Sequence, residues 1–143
     1  MHLTAMINAK SFFDTYAKEF KSNIKILEIG SQDVNGSLRQ VCPKEFEYIG
    51  VDFEQGKGVD IVLEDPYTLP FENESFDIVL SSSCFEHSEM FWLVFLEAMT
   101  TPLPFSSRDT RTLQSLHIAM QTDTYITEKQ GNLLIQILSN DIY

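Results

Sequence analysis

Ile24-Lys-Ile-Leu-Glu-Ile-Gly30-Ser-Gln-Asp-Val-Asn-Gly36 is an apolar run closed by one glycine and followed six residues later by another. A short apolar run ending in glycine suits a buried strand that must turn sharply at its end. The same pattern recurs downstream. Glu47-Tyr-Ile-Gly-Val-Asp52 reads as a second strand that ends in an acid. Val59-Asp-Ile-Val-Leu63 reads as a third strand, and Phe76-Asp-Ile-Val-Leu-Ser81 as a fourth. Asp65-Pro-Tyr-Thr-Leu-Pro-Phe71, with its two prolines, is a loop. Helical spacing of Phe12, Phe13, Tyr16, Ala17 and Phe20 predicts an amphipathic helix over 9–20, and residues 89–99 read as a mostly buried helix. Apolar strands alternating with helices predict an α/β fold with a mostly parallel sheet.

A length of 143 residues suits one domain, and 43% apolar residues suffice for a sizeable core. No run approaches the roughly 18 apolar residues of a spanning helix, and the first twenty residues hold no signal-peptide core. Two cysteines make no disulfide framework. These features predict a cytoplasmic protein with no membrane partner. The net charge of −11 argues against a nucleic-acid duplex, which requires a basic face. Residues 1–100 carry 7 basic and 17 acidic side chains, and residues 101–143 carry 3 and 4. That shift divides a dense 1–100 unit from a divergent tail. Helical stripes at Leu113, Leu116 and Met120, and at Leu133, Leu134, Ile137 and Leu138, predict a helical tail that forms no separate domain, although Leu133–Leu138 is also strand-like.

In open parallel sheets, ligands bind beyond the carboxyl ends of the strands. Gly30 lets the first strand turn and lets a ligand approach the backbone. Asp52, at the second strand end, has the chemistry to accept two hydrogen bonds from a ribose diol. Asp65 offers an acceptor for an adenine amino group, and Phe53 an aromatic face for the ring. Taken singly, a glycine after a strand is a turn and an acid at a strand end is a solvated cap. The ordered set makes the signal. Two nucleotide patterns are absent. No second glycine follows Gly30 at two residues, and Gln55-Gly-Lys-Gly58 lacks the leading glycine and the hydroxyl residue of a phosphate loop.

This set resembles the class I S-adenosylmethionine-dependent methyltransferases, in particular the methyltransferase type 11 group. Residues 26–36, 48–52, 64–71, 75–80 and 85–87 carry the likeness. The resemblance implies a Rossmann-like sheet with flanking helices and S-adenosylmethionine across its strand ends. It assigns Glu28, Gly30 and Ser31 to the loop around the methionine part. Asp52 goes to the ribose, and Phe53, Asp65 and Pro66, with Tyr67, to the adenine. Ser82, beside Ser81, goes to the methyl-donor end. The family's turn into a fifth strand is not legible after Met99, so the sheet is expected to be incomplete after its fourth strand, the C-terminal half truncated or replaced.

Other candidates carry less chemistry. Cys84 and His87 have no second ligand pair, so no metal site is expected. Phe91, Trp92, Phe95 and Met99 read as core. Methyl transfer needs alignment more than protein chemistry, and no residue identifies the acceptor, a catalytic group or an oligomeric state. A non-enzymatic remnant or interaction module of the same fold is the alternative. A nicotinamide-dependent dehydrogenase is disfavoured by the missing dinucleotide fingerprint.

Overall fold

A computed structural model describes residues 3–16, 24–72, 75–82, 84–100, 115–119, 124–129 and 132–137. In chain order the elements are α1 (Leu3–Tyr16), β1 (Lys25–Ile29), β2 (Glu47–Asp52), β3 (Ile61–Val62), β4 (Ile78–Ser82), α2 (Phe91–Thr100), β5 (Ser115–Ala119), β6 (Thr124–Lys129) and β7 (Asn132–Ile137). Single 3-10 turns at Leu38–Gln40 and Phe85–His87 punctuate the connections.

Five strands form one sheet in the order β3-β2-β1-β4-β5, and every pairing is parallel. β1 lies at the centre. Its pairing runs from Lys25↔Glu47 to Ile29↔Val51 on one side and from Ile26↔Ile78 to Ile29↔Ser81 on the other. Period-two alternation sends Leu27, Ile29, Val51 and Val79 to one face, where Val94 and Ala98 of α2 complete a core. It sends Ile26, Ile78 and Leu80 to the other, where Phe12 and Phe13 of α1 and Leu38 cover them. Ile26, Leu27, Val51, Ile78 and Val79 are fully buried, each stabilising the fold by roughly 1.5–3 kcal/mol.

Several expectations are met in altered form. α1 begins earlier than predicted, and residues 17–20 lie outside the described residues. β3 has only two ladder residues, although the N–H groups of Asp60 and Leu63 still bond to the carbonyls of Gly50 and Asp52. α2 is not mostly buried: Val94 and Ala98 face the core, but Phe91, Trp92 and Leu96 are exposed. A helix apolar on every side has more apolar surface than one sheet face covers.

The tail is corrected. It holds strands where helices were expected: β5 lies within 110–121, and β7 covers most of the second stripe. β5 runs along the outer edge of β4, from Ile78↔Ser115 to Ser82↔Ala119; apart from this one strand, the sheet among the described residues is short after its fourth, as expected. β4 is buried along its whole length, and its second edge needs partners for its backbone donors and acceptors. β6 and β7 form a separate antiparallel pair, from Thr124↔Ile137 to Lys129↔Asn132. β-branched residues at 124, 126, 127, 135 and 137 favour that state.

Candidate functional site

The carboxyl ends of β1 and β2 open into a cleft of about 190 Å³. Ile29 and Gly30 line its floor. Asp52, Phe53, Leu63, Pro66 and Tyr67 form one wall, and Cys84, His87, Ser88, Glu89 and Val94 the other. Fold and chemistry meet here because the strands end together and the chain turns at each end.

Gly30 makes the first turn at φ +80°, a conformation open to glycine. A Cβ there would stand 2.5 Å from Cys84 Cβ, so the absent side chain also lets the 84–89 segment close over the strand end. The N–H groups of Gly30 and Ser31 both donate to the Val51 carbonyl, at 2.9 and 3.1 Å, fastening the loop to β2.

Asp52 is buried at the cleft edge. Its Oδ2 accepts from the Gln32 N–H at 3.1 Å and its Oδ1 from the Glu54 N–H at 3.3 Å. A carboxylate has about four acceptor positions, so these two bonds leave roughly two unused. Phe53 is 58% exposed, an aromatic face held at the rim by the strand before it.

Of the predicted site residues, Gly30, Asp52, Phe53 and Pro66 line the cleft together, with Tyr67 beside Pro66. Glu28, Ser31, Asp65 and Ser82 are not among its lining residues. Asp65 is exposed and turned onto its own loop, accepting from the Tyr67 N–H at 2.9 Å and the Thr68 hydroxyl at 2.8 Å. Those bonds hold its carboxyl below the usual range and fix the turn that presents Pro66 and Tyr67. Ser31 is buried beneath Gly50, where an added Cβ would approach Ser31 Oγ to 2.6 Å. Ser82 is buried at the end of β4.

Glu28 is 1% exposed and shares the β1 face of Ile26. Its Oε2 accepts from the Tyr48 hydroxyl at 2.8 Å. Oε1 is buried without a hydrogen-bond partner. Burial pushes this carboxyl up to about 7, against the opposing pull of the Tyr48 hydrogen bond and the Arg39 charge. Arg39 lies over the Tyr48 ring, 4.9 Å from its centroid, and pairs with Asp60. Asp60 also accepts from the Gly50 N–H at 2.7 Å. Burial acts to raise the Asp60 carboxyl, but Arg39 and that N–H outweigh it and hold it low.

Ile29, Leu63, Cys84, His87, Ser88, Glu89 and Val94 line the cleft too and are not among the expected site residues. The third-strand pattern carried a signal for Leu63. Nothing local announces that 84–89 folds across the end of β1. Among the described residues there is no group of three or more His, Cys, Asp or Glu arranged to hold a metal, and no helix long and apolar enough to cross a membrane.

A family model described as a methyltransferase domain matches residues 27–101, just over half the chain. This chain belongs to that methyltransferase family. The matched span of the methyltransferase domain runs from β1 through α2 and contains every residue that lines the cleft. No curated protein matches the chain.

Solved structures share the fold. A Methanococcus maripaludis protein, provisionally described as an S-adenosyl-L-methionine-dependent methyltransferase, superposes with a TM-score of 0.59 at 17% identity, over 80% of this chain and 54% of its own. The YcgJ protein of Bacillus subtilis gives 0.54 at 18%, over 68% and 47%. The CurJ carbon methyltransferase gives 0.55 at 16%, over 88% and 35%. At these identities the likeness speaks to fold alone. The chain spans about half or less of the length of these structures.

Proposed function

We propose that this methyltransferase domain binds S-adenosylmethionine in the cleft and serves methyl transfer from it. The observation that carries this reading is the grouping of one acid, ring-bearing side chains from two elements and one glycine turn at the ends of adjacent parallel strands. Asp52 has open acceptor positions for a ribose diol. Phe53 on one element and Pro66 and Tyr67 on another offer flat apolar surfaces for a purine. Gly30 leaves the backbone bare where the methionine part passes. Asp65 supports the site by fixing the Pro66–Tyr67 turn. The residues present therefore fit the cofactor.

When bound, the cofactor supplies a methyl group already activated on a sulfonium. The chain's task is then to orient and to exclude water. Gly30 and Cys84 narrow the cleft floor, and Val94 with the 84–89 segment covers it from the α2 side.

Calorimetric titration with S-adenosylmethionine tests the reading, with NAD as the control ligand. The wild type should bind the first and not the second. Asp52→Ala removes two charge-assisted hydrogen bonds, and the expected net loss is about 2–3 kcal/mol, roughly 30- to 150-fold in affinity. Asp52→Asn keeps one acceptor and loses less. Asp65→Ala, with circular dichroism confirming the fold, should lose least. An Asp52→Ala affinity within about twofold of wild type would refute the assignment.

A further inference from the structure

Gln55-Gly-Lys-Gly58 matches no phosphate-binding pattern, and none of its residues lines the cleft. It is nevertheless fitted against the first loop. The Asp33 N–H donates to the Lys57 carbonyl at 2.7 Å, and the Lys57 ammonium returns to Asp33 Oδ2 at 2.7 Å. The other oxygen, Oδ1, accepts from the Gly36 N–H at 2.7 Å. One carboxylate thus closes its own loop and ties that loop to its neighbour.

The flanking glycines make the approach possible. A Cβ on Gly56 would stand 2.5 Å from Gln32 Nε2. A Cβ on Gly58, at φ +87°, would stand 2.9 Å from the Ser31 carbonyl oxygen. Ser31, Gln32 and Asp33 are each met by a residue of the Gly-Lys-Gly stretch. On the far side, Gln32 donates to Asp52, which lines the cleft. The contacts run without a break from Lys57 to the cleft wall.

We propose that Lys57, held between Gly56 and Gly58, is a positioning residue that presets the 30–36 loop for the methionine part of the cofactor. This rests on the cofactor reading above. A seven-residue loop has conformational freedom to lose when a ligand orders it, and that loss weakens binding. The clamp orders the loop during folding instead. Gly36, at φ +119°, is a second turn in the loop that favours glycine, and Asp33 pins its N–H. The Lys57 side chain is 79% exposed, so its ionic contribution is modest and screened by salt.

Two readouts test the clamp, one without any ligand. In Lys57→Ala, hydrogen exchange at the Asp33 and Gly36 amides should quicken while β1 and β4 amides stay as in wild type. By titration, this variant should bind S-adenosylmethionine about three- to fivefold more weakly. Adenosine, which keeps the ribose on Asp52 but lacks the methionine part, should weaken less than S-adenosylmethionine. Lys57→Arg should restore both readouts, and 0.5 M salt should narrow the gap between wild type and Lys57→Ala. Gly58→Ala should exceed Lys57→Ala in the same direction. Unchanged exchange at Asp33 and Gly36 overturns the clamp. Equal weakening of both ligands overturns the positioning role and leaves a merely structural one. A wild type that binds neither ligand overturns the cofactor reading, and the role of Lys57 toward it falls as well.

Discussion

Replacing Glu28 with Gln should make the protein more stable at pH 8 and leave it nearly unchanged at pH 5. The carboxyl is 1% exposed, with the Tyr48 hydroxyl on Oε2 and no hydrogen-bond partner on Oε1. Burial lifts it from the ordinary 4.5 to about 7, opposed by Tyr48 and Arg39 and assisted by the like charges of Asp52 and Asp33. The folded chain therefore holds the Glu28 proton more tightly than the unfolded chain does. Between those two values the unfolded chain has released the proton and the folded chain has not, so stability falls as pH rises through the window. The fall ends above about 7, where both states are ionised. At about 1.4 kcal/mol per pH unit, the window is worth about 3 kcal/mol. Gln keeps the shape and a carbonyl oxygen for Tyr48 but cannot ionise. Urea unfolding at pH 5, 6, 7 and 8, with equal m values, should show the two proteins within about 1 kcal/mol at pH 5 and the Gln variant ahead by about 2–3 kcal/mol at pH 8. Parallel stability profiles, or a Gln variant that is weaker at pH 8, would refute the argument.

Gly30→Ala should lower stability by about 2–4 kcal/mol, combining backbone strain at φ +80° with the 2.5 Å approach to Cys84; a loss under about 1 kcal/mol by urea unfolding would contradict that geometry. Trp92→Ser should cost less than about 1 kcal/mol because the indole is half exposed, whereas Leu27→Ala, at a fully buried position, should cost about 2–5 kcal/mol. At the acid end, Asp33, held low first by Lys57 and then by the Gly36 N–H, and Asp65, held low by the Tyr67 N–H and the Thr68 hydroxyl, contribute stability that is lost as pH falls through their folded values. Acid unfolding of Asp33→Asn by circular dichroism should therefore begin at a similar pH but with a smaller total loss than wild type.

β1, β2 and β4 were legible because each is an apolar run closed by a glycine, an acid or serines, and because sheet burial demands such runs. Their order along the chain then located Gly30, Asp52, Phe53 and Pro66 at one cleft. Asp65 was read toward a ligand, but Asp-Pro-Tyr-Thr is also a turn sequence, and local hydrogen bonds two and three residues on claim its oxygens. Glu28 was placed in the loop by its neighbours, although strand parity already put it on the face of Ile26. The tail failed for a different reason. Short apolar runs satisfy helix and strand periodicity alike, and the open edge of β4 is a tertiary fact that no window of sequence contains. The same holds for Lys57 and Asp33, which lie in different loops.

The chain contains a single tryptophan, Trp92, at 51% exposure, edge-on to Phe91 with ring centroids 5.5 Å apart. It sits two residues from Val94, which lines the cleft. Its fluorescence should already emit toward the red in the folded state, so denaturation shifts it little. Residues two apart on a helix point to opposite sides, so the indole is a native optical reporter for whatever covers the outer face of α2, with no added label.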